Sequence, residues 1–101
     1  MVRKQDGRLE PFAPEKIAAG VSSALAGRPV QERAVAVLVS EIESRAQAYG
    51  GPVPTAEIGQ WVLEALRPLD EVAYLRFASV YKEFEGASDF EKEMAALEDP
   101  S

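Results

Sequence analysis

Apolar residues recur at helical spacing in five segments of this chain and alternate with polar ones only at its amino terminus. Ile17, Val21, Ala24 and Leu25 form a stripe behind Pro14, which suits a first helical position because its missing N–H costs nothing there. Gly27 stops that helix, and Pro29 pushes Arg28 out of helical geometry, so Arg28-Pro29-Val30 reads as a rigid connector. Val35, Leu38, Val39, Ile42 and Ala46 predict a second helix from about Glu32, ended by Tyr49-Gly50-Gly51. Thr55 is the expected N-cap of a third helix carrying Ile58, Trp61, Val62 and Leu66, which Pro68 breaks. Trp61 is assigned to the core. Asp70 caps a fourth helix, where Val72, Leu75, Ala78, Ser79 and Phe84 mix with an aromatic face of Tyr74, Phe77 and Tyr81. Ser88 to Glu91 reads as a capping box for a last short helix ending near Leu97, followed by a frayed tail over 98–101.

The amino-terminal segment reads as a β-hairpin closed by Asp6-Gly7, a pair that favours a two-residue type I′ turn. That turn sets Gln5 against Arg8, Lys4 against Leu9 and Arg3 against Glu10. Alternation then places Val2, Lys4 and Leu9 on one side and Arg3, Gln5, Arg8 and Glu10 on the other. Pro52-Val53-Pro54 is extended and adds an edge strand, where prolines are tolerated. So small a sheet must pack on the helices to be stable. The predicted class is α+β, a bundle of four to five helices covered at one end by a two- to three-stranded sheet.

Composition narrows the chemistry. The chain has 101 residues, 47% of them hydrophobic and 28% charged, which fits one soluble domain. No apolar run spans a membrane and no leader pattern appears, so the expected location is cytoplasmic. With neither cysteine nor histidine, zinc sites, thiol nucleophiles and histidine bases are excluded within the segment. The net charge of −6 argues against gripping a nucleic-acid backbone. Charge is uneven, however: residues 1–28 hold five cations against three anions. A positive corner on an acidic body suits a small anionic ligand.

Val2-x-Lys4-x-Asp6-Gly7-Arg8-x-Glu10-Pro11-Phe12, followed by Lys16-Ile17, resembles the opening of the ATP-cone, the regulatory nucleotide-binding domain of ribonucleotide reductases. Arg28-Pro29-Val30 and Ile58-Gly59 continue the likeness. The run Leu69 to Phe84 is more specific and resembles the cone of the bacterial ribonucleotide reductase transcriptional repressors, the NrdR family. The resemblance covers residues 1–97. It implies a regulatory domain that reads ATP and dATP, with magnesium, and changes homo-oligomeric state accordingly. The family binds DNA through a four-cysteine zinc ribbon that this chain does not contain. The chain is therefore either a natural stand-alone cone or a piece of a longer protein.

By the same resemblance, Val2 meets adenine through its backbone and Glu10 accepts from the adenine amino group. Lys4 and Lys16 neutralise phosphates, with Arg3 as a further cation, and Thr55 and Tyr81 complete the candidate site. Two positions depart from the family pattern: Gln5 stands where many cones have arginine, and Ala13 where they have Asn or Asp. Lys82 is a further candidate for approaching the site. Arg76 is either an interface or phosphate contact or an ion-pair partner of a bundle glutamate. Neither a Walker loop nor a histidine base exists, so an enzyme is not expected. The alternative to a nucleotide-reading domain is a structural self-association domain with a vestigial site.

Overall fold

A computed structural model, which describes residues 1–98, shows five helices and one three-stranded sheet, an α+β architecture. The strands are β1 (Val2–Arg3), β2 (Leu9–Glu10) and β3 (Val53–Pro54); the helices are α1 (Pro14–Ala24), α2 (Glu32–Ala48), α3 (Thr55–Leu66), α4 (Glu71–Tyr81) and α5 (Ala87–Glu98). Packing of α1 on α2, α2 on α3, α3 on α4 and α4 back on α1 closes a four-helix ring, with α5 laid against α4. Among the described residues no helix is long and apolar enough to cross a membrane. Of the tail assigned to 98–101, Glu98 ends α5 and residues 99–101 lie outside the described residues.

α3 is the centre of the core. Ile58, Trp61, Val62, Leu63 and Leu66 are all buried, and Leu66 is fully so. Side chains of this size each contribute roughly 1.5–3 kcal/mol when removed from water. Val21, Leu38 and Ile42 meet them from the neighbouring helices. Trp61 is in the core as its spacing predicts, with the Arg45 guanidinium 4.6 Å above its ring and Tyr49 at its edge. On α4 the inward residues are Ala73 and Ala78, with Tyr74 and Phe77 packed alongside, whereas Val72 is exposed. The bundle accepts small residues and ring faces from α4, which the expected Val72 stripe does not supply.

Two helix starts follow different chemistry from that expected. Asp70 does cap α4, accepting from the Ala73 N–H at 2.9 Å, and both its oxygens also receive the Arg28 Nε–H. Those bonds, the Ala73 one foremost, hold the Asp70 carboxyl below its ordinary value of 3.8. Thr55, in contrast, does not cap α3: Pro54 is the N-cap residue, and the Thr55 hydroxyl donates to the Arg3 carbonyl at 3.1 Å. Thr55 thus ties the helix to β1. Ser88 does not cap α5 either, because that helix already begins at Ala87. Its neighbour Asp89 accepts from the Glu85 N–H at 2.8 Å.

The sheet order is β2-β1-β3, with β1 antiparallel to β2 and parallel to β3. The hairpin register differs from the predicted one. Val2 pairs with Glu10 and Arg3 with Leu9, one residue away from the type I′ alignment. The Gly7 N–H donates to the Lys4 carbonyl at 2.9 Å, and the Lys4 N–H to the Arg8 carbonyl at 2.8 Å. Gly7 has φ 89° and Asp6 does not reach positive φ. The connection is therefore a three-residue loop, a type I turn followed by a glycine bulge. Asp6 reinforces it by accepting from both the Arg8 N–H and Nε–H.

Candidate functional site

The one-residue shift decides what the hairpin presents, because it flips the side chains of β2 relative to those of β1. Val2, Lys4, Arg8 and Glu10 now share a face, and Arg3 and Leu9 point the other way. Lys4 and Glu10 become diagonal neighbours, Nζ to Oε2 at 3.7 Å, and the expected Arg3–Glu10 pair does not form. The inward face of the hairpin closes over α1, α3 and the end of α4.

Between them lies a cavity of about 220 Å³. Val2, Ile58, Val62, Phe77 and Tyr81 build its apolar walls, and Lys4, Glu10, Lys16 and Thr55 supply the polar groups. Six of the seven residues picked from sequence thus line one cavity; Arg3 does not. Arg3 offers its carbonyl to Thr55 instead. Val2 lies between two ladders, paired with Glu10 and with Val53.

Gly59 and Tyr81 shape the inner end. Any Cβ at position 59 would lie 2.0 Å from Cε1 of Tyr81, so only glycine lets the ring seat flat against α3. The Tyr81 hydroxyl donates to the Ala56 carbonyl at 2.6 Å, which fixes the ring there. Phe77 stacks on it, with centroids 6.1 Å apart. Phe77 was legible only as part of an aromatic face. Its place four residues before Tyr81 is the signal that both rings share the wall.

Two other sequence candidates act elsewhere. Lys82 is absent from the lining and pairs with Glu93 of α5, which also accepts from the Tyr74 hydroxyl at 3.1 Å. Burial, followed by that bond to Glu93, raises the Tyr74 hydroxyl above its ordinary value of 10.0. Arg76 neither pairs with a glutamate nor reaches the cavity. Its Nη1 donates to the Ala24 and Ala26 carbonyls at 3.1 and 2.6 Å, satisfying the carboxyl end of α1.

The cavity combines aromatic and aliphatic walls with one carboxylate, two ammonium groups and a hydroxyl in its lining. No group of three or more carboxylate, histidine or cysteine side chains that would hold a metal occurs among the described residues.

Comparison with known proteins identifies the family. The chain is 50% identical over 97 residues to the "Transcriptional repressor NrdR" of Mycobacterium avium (strain 104), covering 95% of this chain and 63% of that protein. It is 52% identical over 98 residues to the protein of the same name in Thermobifida fusca (strain YX), covering 96% and 64%. The match to that of Frankia casuarinae is 50% over 97 residues, with 95% and 54% covered. The chain thus spans somewhat less than two thirds of these relatives. The family description "ATP cone domain" matches residues 1–87, from β1 to the first residue of α5. The chain belongs to the ATP-cone family.

Proposed function

We propose that this domain is a non-catalytic sensor of adenine nucleotides, the regulatory part of a repressor of ribonucleotide reductase genes, acting in the cytoplasm. The observation that carries the reading is the single cavity that joins an apolar slot to Lys4, Glu10, Lys16 and Thr55. Its volume of about 220 Å³ is smaller than a typical drug-sized cleft of roughly 300–1,000 Å³. Base and sugar occupy the slot, and the phosphates lie toward the exposed ammonium groups.

Lys4 and Glu10 are each about one third exposed, and a pair so placed contributes little on its own. Such a pair positions both groups and yields readily to a ligand that engages each separately. Glu10 accepts from the adenine amino group, and Lys4 and Lys16 take the phosphates as flexible point charges. Magnesium reaches the site on the phosphates, since Glu10 is the only carboxylate in the lining.

ATP and dATP act as alternative effectors whose identity changes self-association. Coupling of that kind requires the two ligands to differ in affinity for two assembly states. DNA contact in the whole repressor falls to a segment outside this chain, consistent with the net charge of −6 here. The test is calorimetric titration of ATP and dATP into wild type, Lys4→Ala and Glu10→Ala, with light scattering on the same samples. The reading predicts wild-type binding that both substitutions weaken with the fold intact, and ligand-dependent mass. Absence of binding by wild type contradicts it and favours a vestigial site.

A further inference from the structure

A second cavity, of about 390 Å³, lies at the tip of the hairpin and is lined by Lys4, Gln5, Asp6, Arg8 and Thr55. Lys4 and Thr55 also line the first cavity, so the two spaces meet at those side chains. In the inner one, Lys4 and Lys16 stand against the Glu10 carboxylate. That leaves one net positive charge, less than a triphosphate demands. The outer cavity adds the Arg8 guanidinium. Of the other cations singled out in the sequence, Arg3 points to the opposite side of the hairpin and Lys82 pairs with Glu93. Arg76 satisfies the end of α1. Arg8 remains.

We propose that the outer cavity takes the terminal phosphate of the nucleotide, with Arg8 as the residue that tells a triphosphate from a diphosphate. The guanidinium is aimed by its own turn. Asp6 accepts the Arg8 Nε–H at 2.7 Å and the Arg8 backbone N–H at 3.0 Å, so one carboxylate fixes both ends of that residue. With Nε engaged, the two Nη groups have no partner among the described residues. They form a planar edge that can donate to two phosphate oxygens at once, which an ammonium cannot do. Gln5 offers the same space only a neutral amide, so selection by charge falls to Arg8. The amino end of α3 supports the same ligand: Thr55 is its first residue and no side chain caps it. Free N–H groups there, at the junction of the two cavities, favour negative charge.

Base and sugar are common to ATP, ADP and AMP, so the inner cavity alone separates them poorly. The outer one reads the number of phosphates, and the domain then responds to triphosphate rather than to total adenine nucleotide. This step rests on the nucleotide reading of the inner cavity.

The experiment is calorimetric titration of AMP, ADP and ATP into wild type, Arg8→Ala and Arg8→Lys, with thermal melts of each protein. The Arg8 side chain is 68% exposed and its backbone bond to Asp6 survives substitution, so both variants should fold. The proposal predicts that wild type prefers ATP over ADP by about tenfold or more, the scale of a charge-assisted pair of hydrogen bonds. In Arg8→Ala that ratio should shrink to within about twofold through loss of ATP affinity, and Arg8→Lys should recover part of it by charge alone. A wild type without ATP preference, or an Arg8→Ala protein that keeps the wild-type ratio, overturns the proposal while leaving the sensor reading intact. Equal weakening of all three ligands by Arg8→Ala assigns Arg8 to holding the hairpin and also overturns it. Wild type that binds none of the three removes the sensor reading and this inference together.

Discussion

Gly59→Ala is the most revealing single substitution in the cavity, because two effects of similar size oppose each other. Alanine in the middle of an exposed helix is favoured over glycine by about 1 kcal/mol. At position 59 the added methyl would sit 2.0, 2.3 and 2.6 Å from three Tyr81 ring atoms. Ordinary contact begins near 3.4 Å, so the ring must retreat by about 1.4 Å. That movement breaks the hydroxyl bond to the Ala56 carbonyl, a net loss of about 1 kcal/mol. Crowding adds roughly 1–3 kcal/mol unless the ring can move freely. The expected sum is destabilisation of about 1–3 kcal/mol, or roughly 4–8 °C in Tm for each kcal/mol in a domain of this size. Tyr81 lines the cavity, so displacing its ring reshapes the cavity wall and ATP affinity should fall about tenfold or more, corresponding to roughly 1.4 kcal/mol. Thermal melts and calorimetric titration of the variant measure both. A Gly59→Ala protein more stable than wild type, or one binding ATP as tightly, would refute the Tyr81 seating.

Three further outcomes follow from the packing and the titrating groups. Leu66→Ala, at a fully buried site under α3, should cost about 2–5 kcal/mol in urea unfolding; a cost under about 1 kcal/mol would remove α3 from the centre of the core. Asp70 has a lowered pKa, so its stabilisation is fully present above 3.8 and disappears as pH falls through its lower folded value. Asp70→Asn should accordingly flatten the acid limb of a stability–pH curve below about pH 4, and an unchanged limb would contradict the Arg28 and Ala73 bonding. Tyr74 is shifted the other way, so its contribution is present below pH 10.0 and is lost as pH rises through its higher folded value. Tyr74→Phe should lose the Glu93 bond, worth about 1 kcal/mol at neutral pH, and flatten the alkaline limb; chemical denaturation across pH reads both.

Much of the fold was legible because local signals and burial agree. Asp70 before an apolar run, Pro14 at a helix start, and Ile58, Trp61, Val62 and Leu66 on one face each have a single good solution. The hairpin did not, since Asp6-Gly7 serves a two-residue turn and also a three-residue loop with Gly7 at positive φ. Tertiary structure chooses between them. Only the three-residue loop turns Glu10 to the side on which Val2 and Lys4 already lie and Val2 is buried. Arg3 alternates with Val2 and Lys4 along β1 and faces away from them in either register; the shift changes only its cross-strand partner, from Glu10 to Leu9. Val72 and Arg76 were misread because helical spacing identifies a face without saying which neighbour it meets. Arg76 ends on the Ala24 and Ala26 carbonyls at and just beyond the end of α1, about 50 residues earlier in sequence, a pairing no local pattern encodes.

Backbone amide shifts of the isotopically labelled chain, followed during ATP addition, test the central claim most directly. The account predicts saturable changes concentrated at Val2, Lys4, Glu10, Lys16, Gly59 and Tyr81, the residues that surround the cavity. No change at saturating ATP, or changes confined to α2 and the far end of α5, would contradict it.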